Sequence, residues 1–437
     1  MKMKKMNLVN TFKAVSMSAF IGSVGYLAVS NAVANNETIT EEAVLNHYAD
    51  LALAMYSDSL TTAQELEKTV VSLLESPTEQ NLEQAKTAWK NARVPYQQTE
   101  VYRFGNSIVD DWEGKVNAWP LDEGLIDYVA TSYGAESEDN PLYTANVIAN
   151  PRFVLSGETV DANDISKTFL SDTLHEIDGV EANVATGYHA IEFLLWGQDL
   201  NGTGAGAGNR PATDFDVNNC TNGNCDRRGQ YLLTSTRLLI DDLTWMIEQW
   251  QENGEARTTL LADTNAGITA MLTGMGSLSY GEMAGERIKL GVLLHDPEEE
   301  HDCFSDNTHN SHFYDIKGIQ NVYLGQYLTV DNEEITGPSL HYLLASKDAT
   351  AAKVLESSIV SSLANAYQLV ISAEEKGIAY DQLLAEDNPE GNNKIMKVVD
   401  ALLVQTQAIE QAVATLGLNE IEFEGSDSLD DPGAVFQ

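Results

Sequence analysis

Leu82, Ala85, Trp89, Ala92, Tyr96 and Thr99 recur at alternating spacings of three and four. Such a stripe is one face of a helix sustained over several turns. The same period returns over 41–75, 164–176, 184–200, 228–251, 260–275, 281–294, 338–375 and 394–416, while the alternation of a half-buried strand is nearly absent. The chain is therefore expected to be all-α. Ser76-Pro77-Thr78-Glu79 reads as a capping box with proline at the first helical position. Thr38 and Glu41 open the preceding helix, so 41–75 and the stripe should form an antiparallel hairpin. Pro95 should kink the second helix, and Gly105 should stop it.

Between 106 and 163 the helical period breaks, with Trp112, Trp119-Pro120, Asn140-Pro141 and Asn150-Pro151 among scattered glycines. Two tryptophans argue for ordered loops and short helices there. The stretch 201–209 is Gly, Ala and Asn apart from Thr203, with nothing to bury, which makes it the best dividing point of the chain. The expected organisation is a leader at 1–34, one helical bundle at 35–209, a second at 210–424, and a mobile acidic tail at 425–437.

The leader carries Lys2, Lys4, Lys5 and Lys13, then an uncharged apolar run and Ala32-Val33-Ala34. A positive start, a short apolar run and an A-x-A site make a secretory signal peptide, with cleavage expected after Ala34. Serines and glycines in the run weaken it as a permanent span. The protein is thus expected to be exported, to the periplasm or an equivalent compartment. Against 25 Lys and Arg stand 66 Asp and Glu, a formal net charge of −41. That excludes nucleic-acid binding by phosphate neutralisation and disfavours docking on anionic lipid. In an oxidising compartment Cys220 and Cys225 could close a small loop, which would leave Cys303 over.

Gly187-Tyr188-His189-Ala190-Ile191-Glu192-Phe193-Leu194-Leu195-Trp196 holds the sharpest chemical signal. His189 and Glu192, three apart on a helix, point the same way, with Cβ atoms roughly 5–6 Å apart. Their neighbours are strongly apolar, so the carboxylate is costly unless paired, hydrogen-bonded or metal-bound. The spacing is one used for metals inside helical bundles, and it also suits a buried hydrogen-bonded pair.

Gly187-x-His189-x-x-Glu192 resembles the GxHxxE motif of the imelysin family. Arg93-Val94-Pro95-Tyr96-Gln97-Gln98-Thr99-Glu100, 120–128, Gly285-Glu286-Arg287-Ile288 and 301–309 are similar to its iron-regulated protein A subgroup. The resemblance implies an exported fold of two helical bundles, a site in the cleft between them, and a role in iron acquisition. It points to His189, Glu192, Glu100 and Glu286 as metal ligands. Arg93, Gly187, Asp122, Arg287, His295, His301 and Ser305 would lie in or beside the cleft. The metal is expected to be iron, divalent or ferric, with zinc as the alternative, arriving free or as a chelate. An iron-uptake component of the inner or outer membrane is the expected partner.

The family takes its name from a proposed metallopeptidase activity. A zinc peptidase needs three protein ligands, an open position and a general base. Phe193 follows Glu192, so the second histidine of the His-x-x-Glu-His form is missing. Carboxylates plus one imidazole suit iron, and binding needs no water activation. Binding is therefore preferred to hydrolysis, with a metal-independent envelope binding module as a third class. Arg93 and Glu100 share a helix face seven positions apart, with surface ion pairing as the alternative reading for them and for Glu286 and Arg287. His295, His301, His309 and His312 are four of the eight histidines. Set among acids, they make either a solvated acidic loop or a second metal or partner contact.

Overall fold

The computed structural model describes residues 39–436. The leader and its cleavage site, with Thr38, lie outside the described residues, as does Gln437. Helix α1 (Glu41–Glu75) is capped by Thr40, whose hydroxyl accepts the Ala43 amide. Helix α2 (Glu79–Gln97) starts later than the capping-box reading placed it. Thr78 is its cap, accepting from the Asn81 amide, and Pro77 stays in the turn. Pro95 falls in the last turn of α2, where the chain tightens into a short turn at Glu100–Tyr102. Leu82, Ala85, Trp89, Ala92 and Tyr96 are all buried, as the stripe requires.

Next come α3 (Ser107–Asn117), the single turn α4 (Glu123–Ile126) and a hairpin of β1 (Arg152–Leu155) with β2 (Glu158–Asp161). The hairpin register pairs Arg152 with Asp161 and Leu155 with Glu158. Helix α5 (Gly187–Trp196) is buried along its whole length. Helix α6 (Cys225–Trp250) follows the 201–209 stretch, yet it packs on α1 and α5. The first set of helices thus extends past the expected dividing point. Asp263 then caps a fresh helix, so the single expected element at 260–275 is two: α7 (Glu255–Ala262) and α8 (Thr264–Ser277).

A π-helical stretch, Leu278–Lys289, leads into α9 (Leu290–Leu294). Helix α10 (Thr308–Leu324) precedes a second small hairpin, β3 (Gln326–Leu328) with β4 (Glu334–Thr336). Then follow α11 (Leu340–Lys347), α12 (Ala349–Val370), α13 (Tyr380–Leu384), α14 (Pro389–Leu416) and α15 (Asp427–Asp430). Helices α10, α11, α12 and α14 pack together with the π-helical stretch. The expected mobile tail is instead seated on that stretch: Ser426 and Ser428 are buried, and the Ser428 hydroxyl donates to the Gly285 carbonyl.

The two sets of helices meet where α10 lies against α2. Asn321 donates to the Gln98 side chain at 2.8 Å, and a Cβ on Gly318 would stand 2.4 Å from the Gln98 carbonyl oxygen. Backbones this close leave no room for solvent. Polar groups on that seam must therefore satisfy one another. The fold is all-α apart from the two small hairpins, as the periodicity demands.

Candidate functional site

The site begins with a glycine. Gly187 opens α5 at φ +79°, and a Cβ there would stand 2.4 Å from the Val116 carbonyl oxygen at the end of α3. Trp89 of α2 fixes the same turn by donating to the Tyr188 carbonyl at 2.9 Å. Held from two sides, α5 turns His189 and Glu192 inward, 1% and 0% exposed.

His189 Nδ1 lies 3.0 Å from Glu192 Oε2, and the Ser305 amide donates to Glu192 Oε1 at 3.0 Å. The carboxylate thus orients the ring through Nδ1 and leaves Nε2 as the nitrogen with a lone pair to offer. That Nε2 is buried and has no hydrogen-bond partner. The His301 ring sits 4.7 Å from that of His189, centroid to centroid. His189, His301 and Asp302 each present a ligand atom within 4.8 Å of the others.

Arg93 reaches into this group from α2. Its guanidinium donates to Asp302 Oδ1 at 2.9 Å and to Asn117 Oδ1 at 2.6 Å, and lies 3.3 Å from His301 Nδ1. Asn307 and Ser311 donate to Asp302 Oδ2 at 2.8 and 2.5 Å. Burial, reinforced by Arg93, drives the His189 pKa down to about 3, and that of His301 well below its ordinary range. Both rings are therefore neutral at physiological pH, the state in which imidazole binds metal. Burial opposes ionisation of Asp302, yet Arg93 and the Ser311 and Asn307 donors hold it down at about 2. Glu192 is pushed up instead, by burial and by the charge of Asp302.

The other expected residues divide between neighbouring networks. Glu100 is buried but does not join His189. It accepts from Arg287 at 2.7 Å, and the same guanidinium holds Glu282 at 2.6 Å and Asp315 at 3.2 Å. Arg93 and Glu100 are 1% and 2% exposed, so the surface ion-pair reading fails for both. Glu286 is half-buried and stands outside the cluster. Its neighbour Arg287 faces inward, and consecutive helical residues cannot share one direction. Asp122 accepts from Asn140 at 2.5 Å and is not part of the cluster. His295 ends α9 with Nδ1 2.8 Å from the Leu384 carbonyl oxygen.

The histidine-rich loop is not a solvated one. Glu300, His301, Asp302, Ser305, His309 and His312 are all buried. His309 meets Glu374 at 3.3 Å, and the His312 ring packs edge-on to Tyr380 at 5.1 Å. Asp302 is the candidate ligand that the sequence reading counted only among the acids of this loop, although it stands next to His301. With Asn307 and Ser311 it lay in a run whose composition looked like surface. Cys220 and Cys225 are joined, with Cα atoms 5.9 Å apart, and Cys303 is free.

The Imelysin family model matches residues 52–409. An iron-regulated protein A from Synechococcus elongatus is 25% identical over 121 residues, which are 28% of this chain. The match spans about a third of that relative's length, 34%. A crystal structure described as an iron-regulated protein A precursor, from Parabacteroides distasonis, superposes with a TM-score of 0.63 at 17% identity. That likeness covers 88% of this chain and 97% of the other, and it shows a shared fold. With a family model matching most of its length and with the histidine–glutamate helix folded inward, this chain belongs to the imelysin family.

Proposed function

We propose that this is an exported imelysin-family protein of iron acquisition that takes its metal at His189, His301 and Asp302. The carrying observation is a buried His189 Nε2 with no hydrogen-bond partner, on a residue that offers a ligand atom within 4.8 Å of those of His301 and Asp302. Two imidazoles and a carboxylate suit ferrous iron, with zinc as the competing metal. The iron-regulated names of the similar proteins favour iron. Arg93 occupies Asp302 Oδ1 and faces His301 Nδ1, so a cation displaces the guanidinium from those atoms as it enters. The positive start of the leader and its A-x-A site support export. A membrane iron-uptake component is the partner this reading implies.

A peptidase has one observation in its favour: His301 and Asp302 supply the ligands that the helix motif lacks. Against it, all three groups are at most 2% exposed, so a polypeptide cannot reach them in this conformation. Glu192 is also committed to His189 and the Ser305 amide and is not placed as a base toward substrate. Elemental analysis and calorimetry with ferrous iron test the binding reading. Wild type should bind one equivalent, and His189→Gln should lose it while keeping its helical circular dichroism. Equal, weak binding by both proteins would return the pair to a purely structural role. Chelator-sensitive cleavage of an unfolded protein substrate, lost in Glu192→Gln, would establish the peptidase instead.

A further inference from the structure

A second group of acids lies outside the histidine cluster. Asp199, Asp306 and Asp381 each present a carboxylate oxygen within 4.8 Å of the others. They come from three separate parts of the chain: the segment after α5, the loop before α10, and α13. Asp381 is 1% exposed, and neither of its carboxylate oxygens has a hydrogen-bond partner. The amides of Asp381 and Gln382 lie beside that carboxylate, outside hydrogen-bonding geometry. Glu300, also 1% exposed, adds a second orphan, its Oε2, and its charge bears on Asp381, Asp306 and Asp199. Asp199 accepts from Asn201 through Oδ1 at 2.7 and 2.9 Å, and its Oδ2 accepts no hydrogen bond among the described residues. Asp306 makes no side-chain hydrogen bond among the described residues, and its backbone is held at φ +52°.

A buried acid group normally finds a cation. Among the described residues, no Lys or Arg pairs with Asp199, Glu300, Asp306 or Asp381. Lys90 is felt by Asp306 but forms no ion pair with it. Burial and the neighbouring carboxylates push Asp306 up to about 6 and Asp381 up to about 7. Unpaired buried carboxylates are costly, and a bound cation removes that cost.

We propose that Asp199, Asp306 and Asp381, with Glu300, form a calcium site distinct from the His189 cluster. The donor set is all oxygen, with no imidazole or thiolate, which selects a hard divalent ion. Calcium accepts irregular geometry and several carboxylates, whereas magnesium holds to an octahedron and keeps its waters. The ion would tie the 199 segment to α13 across the loop that carries His301 and Asp302, four residues before Asp306. It would thereby hold that loop in place.

The test uses the full exported chain, stripped with a chelator, and calcium chloride alone as the probe. One equivalent should bind in calorimetry and raise the melting temperature by several degrees, with magnesium at least tenfold weaker. Asp199→Asn, at a half-buried position that the fold tolerates, and Asp306→Asn should each weaken calcium at least tenfold. His189→Gln should bind calcium as wild type does, which keeps this result independent of the iron reading. Only weak, multiple binding to the acidic surface, unaltered in Asp199→Asn, would overturn the proposal. So would the absence of any calcium-dependent shift in wild type.

Discussion

At Gly187 a single missing Cβ decides where the chemistry sits. The residue needs a positive φ and contact with the Val116 carbonyl at once. Gly187→Ala should therefore cost about 2–4 kcal/mol, combining left-handed strain with a backbone collision. Gly157, at φ +85° with open space around its would-be Cβ, isolates the first part. Gly157→Ala should cost only about 1 kcal/mol when both variants are compared by urea titration. Equal losses would show that the contact with α3 is not what fixes α5. His312 carries a second prediction. Burial, with Arg287 and His309 adding to it and Asp302 opposing, lowers its pKa to about 3. The unfolded chain takes up that proton below about 6.5. The folded chain refuses it down to about 3, so stability is complete above 6.5 and drains as pH falls. Relative to His312→Asn, wild type should lose stability at up to about 1.4 kcal/mol per pH unit across that window. Parallel pH–stability curves for the two proteins would rule this out.

Among the elements, α2 was the most legible and the histidine-rich loop the least. Regular apolar spacing marks a helix whatever it packs against, so the stripe from Leu82 to Tyr96 could be read directly. Its start slipped because Thr78, not Ser76, has the extended backbone that a cap needs. The π-helical stretch at Leu278–Lys289 left no mark, since its apolar residues still fall near a helical period. The loop looked solvated because His301, Asp302, Asn307 and Ser311 are polar. Their charged partner is Arg93, itself held by Asn117, some 200 positions upstream, and no local pattern records a remote partner. Glu192 and His189 could be read as a pair, but their connection to Ser305 could not. The Arg93–Asp302 bond between α2 and this loop has a consequence of its own. Arg93→Gln should destabilise the protein by about 3–5 kcal/mol, because it strands a buried carboxylate. It should also strengthen iron binding, because the guanidinium no longer competes for Asp302 Oδ1 and His301 Nδ1. Calorimetry showing weaker iron binding in this variant would mean that Arg93 supports the metal rather than excludes it.

For the whole molecule, the acid surplus behind the net charge of −41 misjudged the end of the chain. Lacking Lys and Arg, 425–437 looked like a free tail, yet its described part, 425–436, is a strap across the second set of helices. The strap fits because Gly281 and Gly285 present bare backbone to it. A Cβ on Gly281 would stand 2.4 Å from the Glu424 carbonyl oxygen, and one on Gly285 2.3 Å from Ser426 Cβ. The three atoms nearest that second position, from Ser426 and Leu429, all belong to the strap. Beneath it runs the turn that carries Arg287, whose guanidinium gathers Glu100, Glu282 and Asp315. Seating the strap therefore supports the central polar network from outside. A sign reversal distinguishes this arrangement from a loosely attached tail. In the full chain Gly285→Ala should destabilise by about 1–3 kcal/mol, because the methyl group meets Ser426. In a chain ending at Glu424 the same substitution should stabilise by about 0.5–1 kcal/mol, the ordinary gain from replacing a helical glycine. The truncation itself should lower the melting temperature by several degrees. If Gly285→Ala moves both proteins the same way, the strap is not what the glycine accommodates.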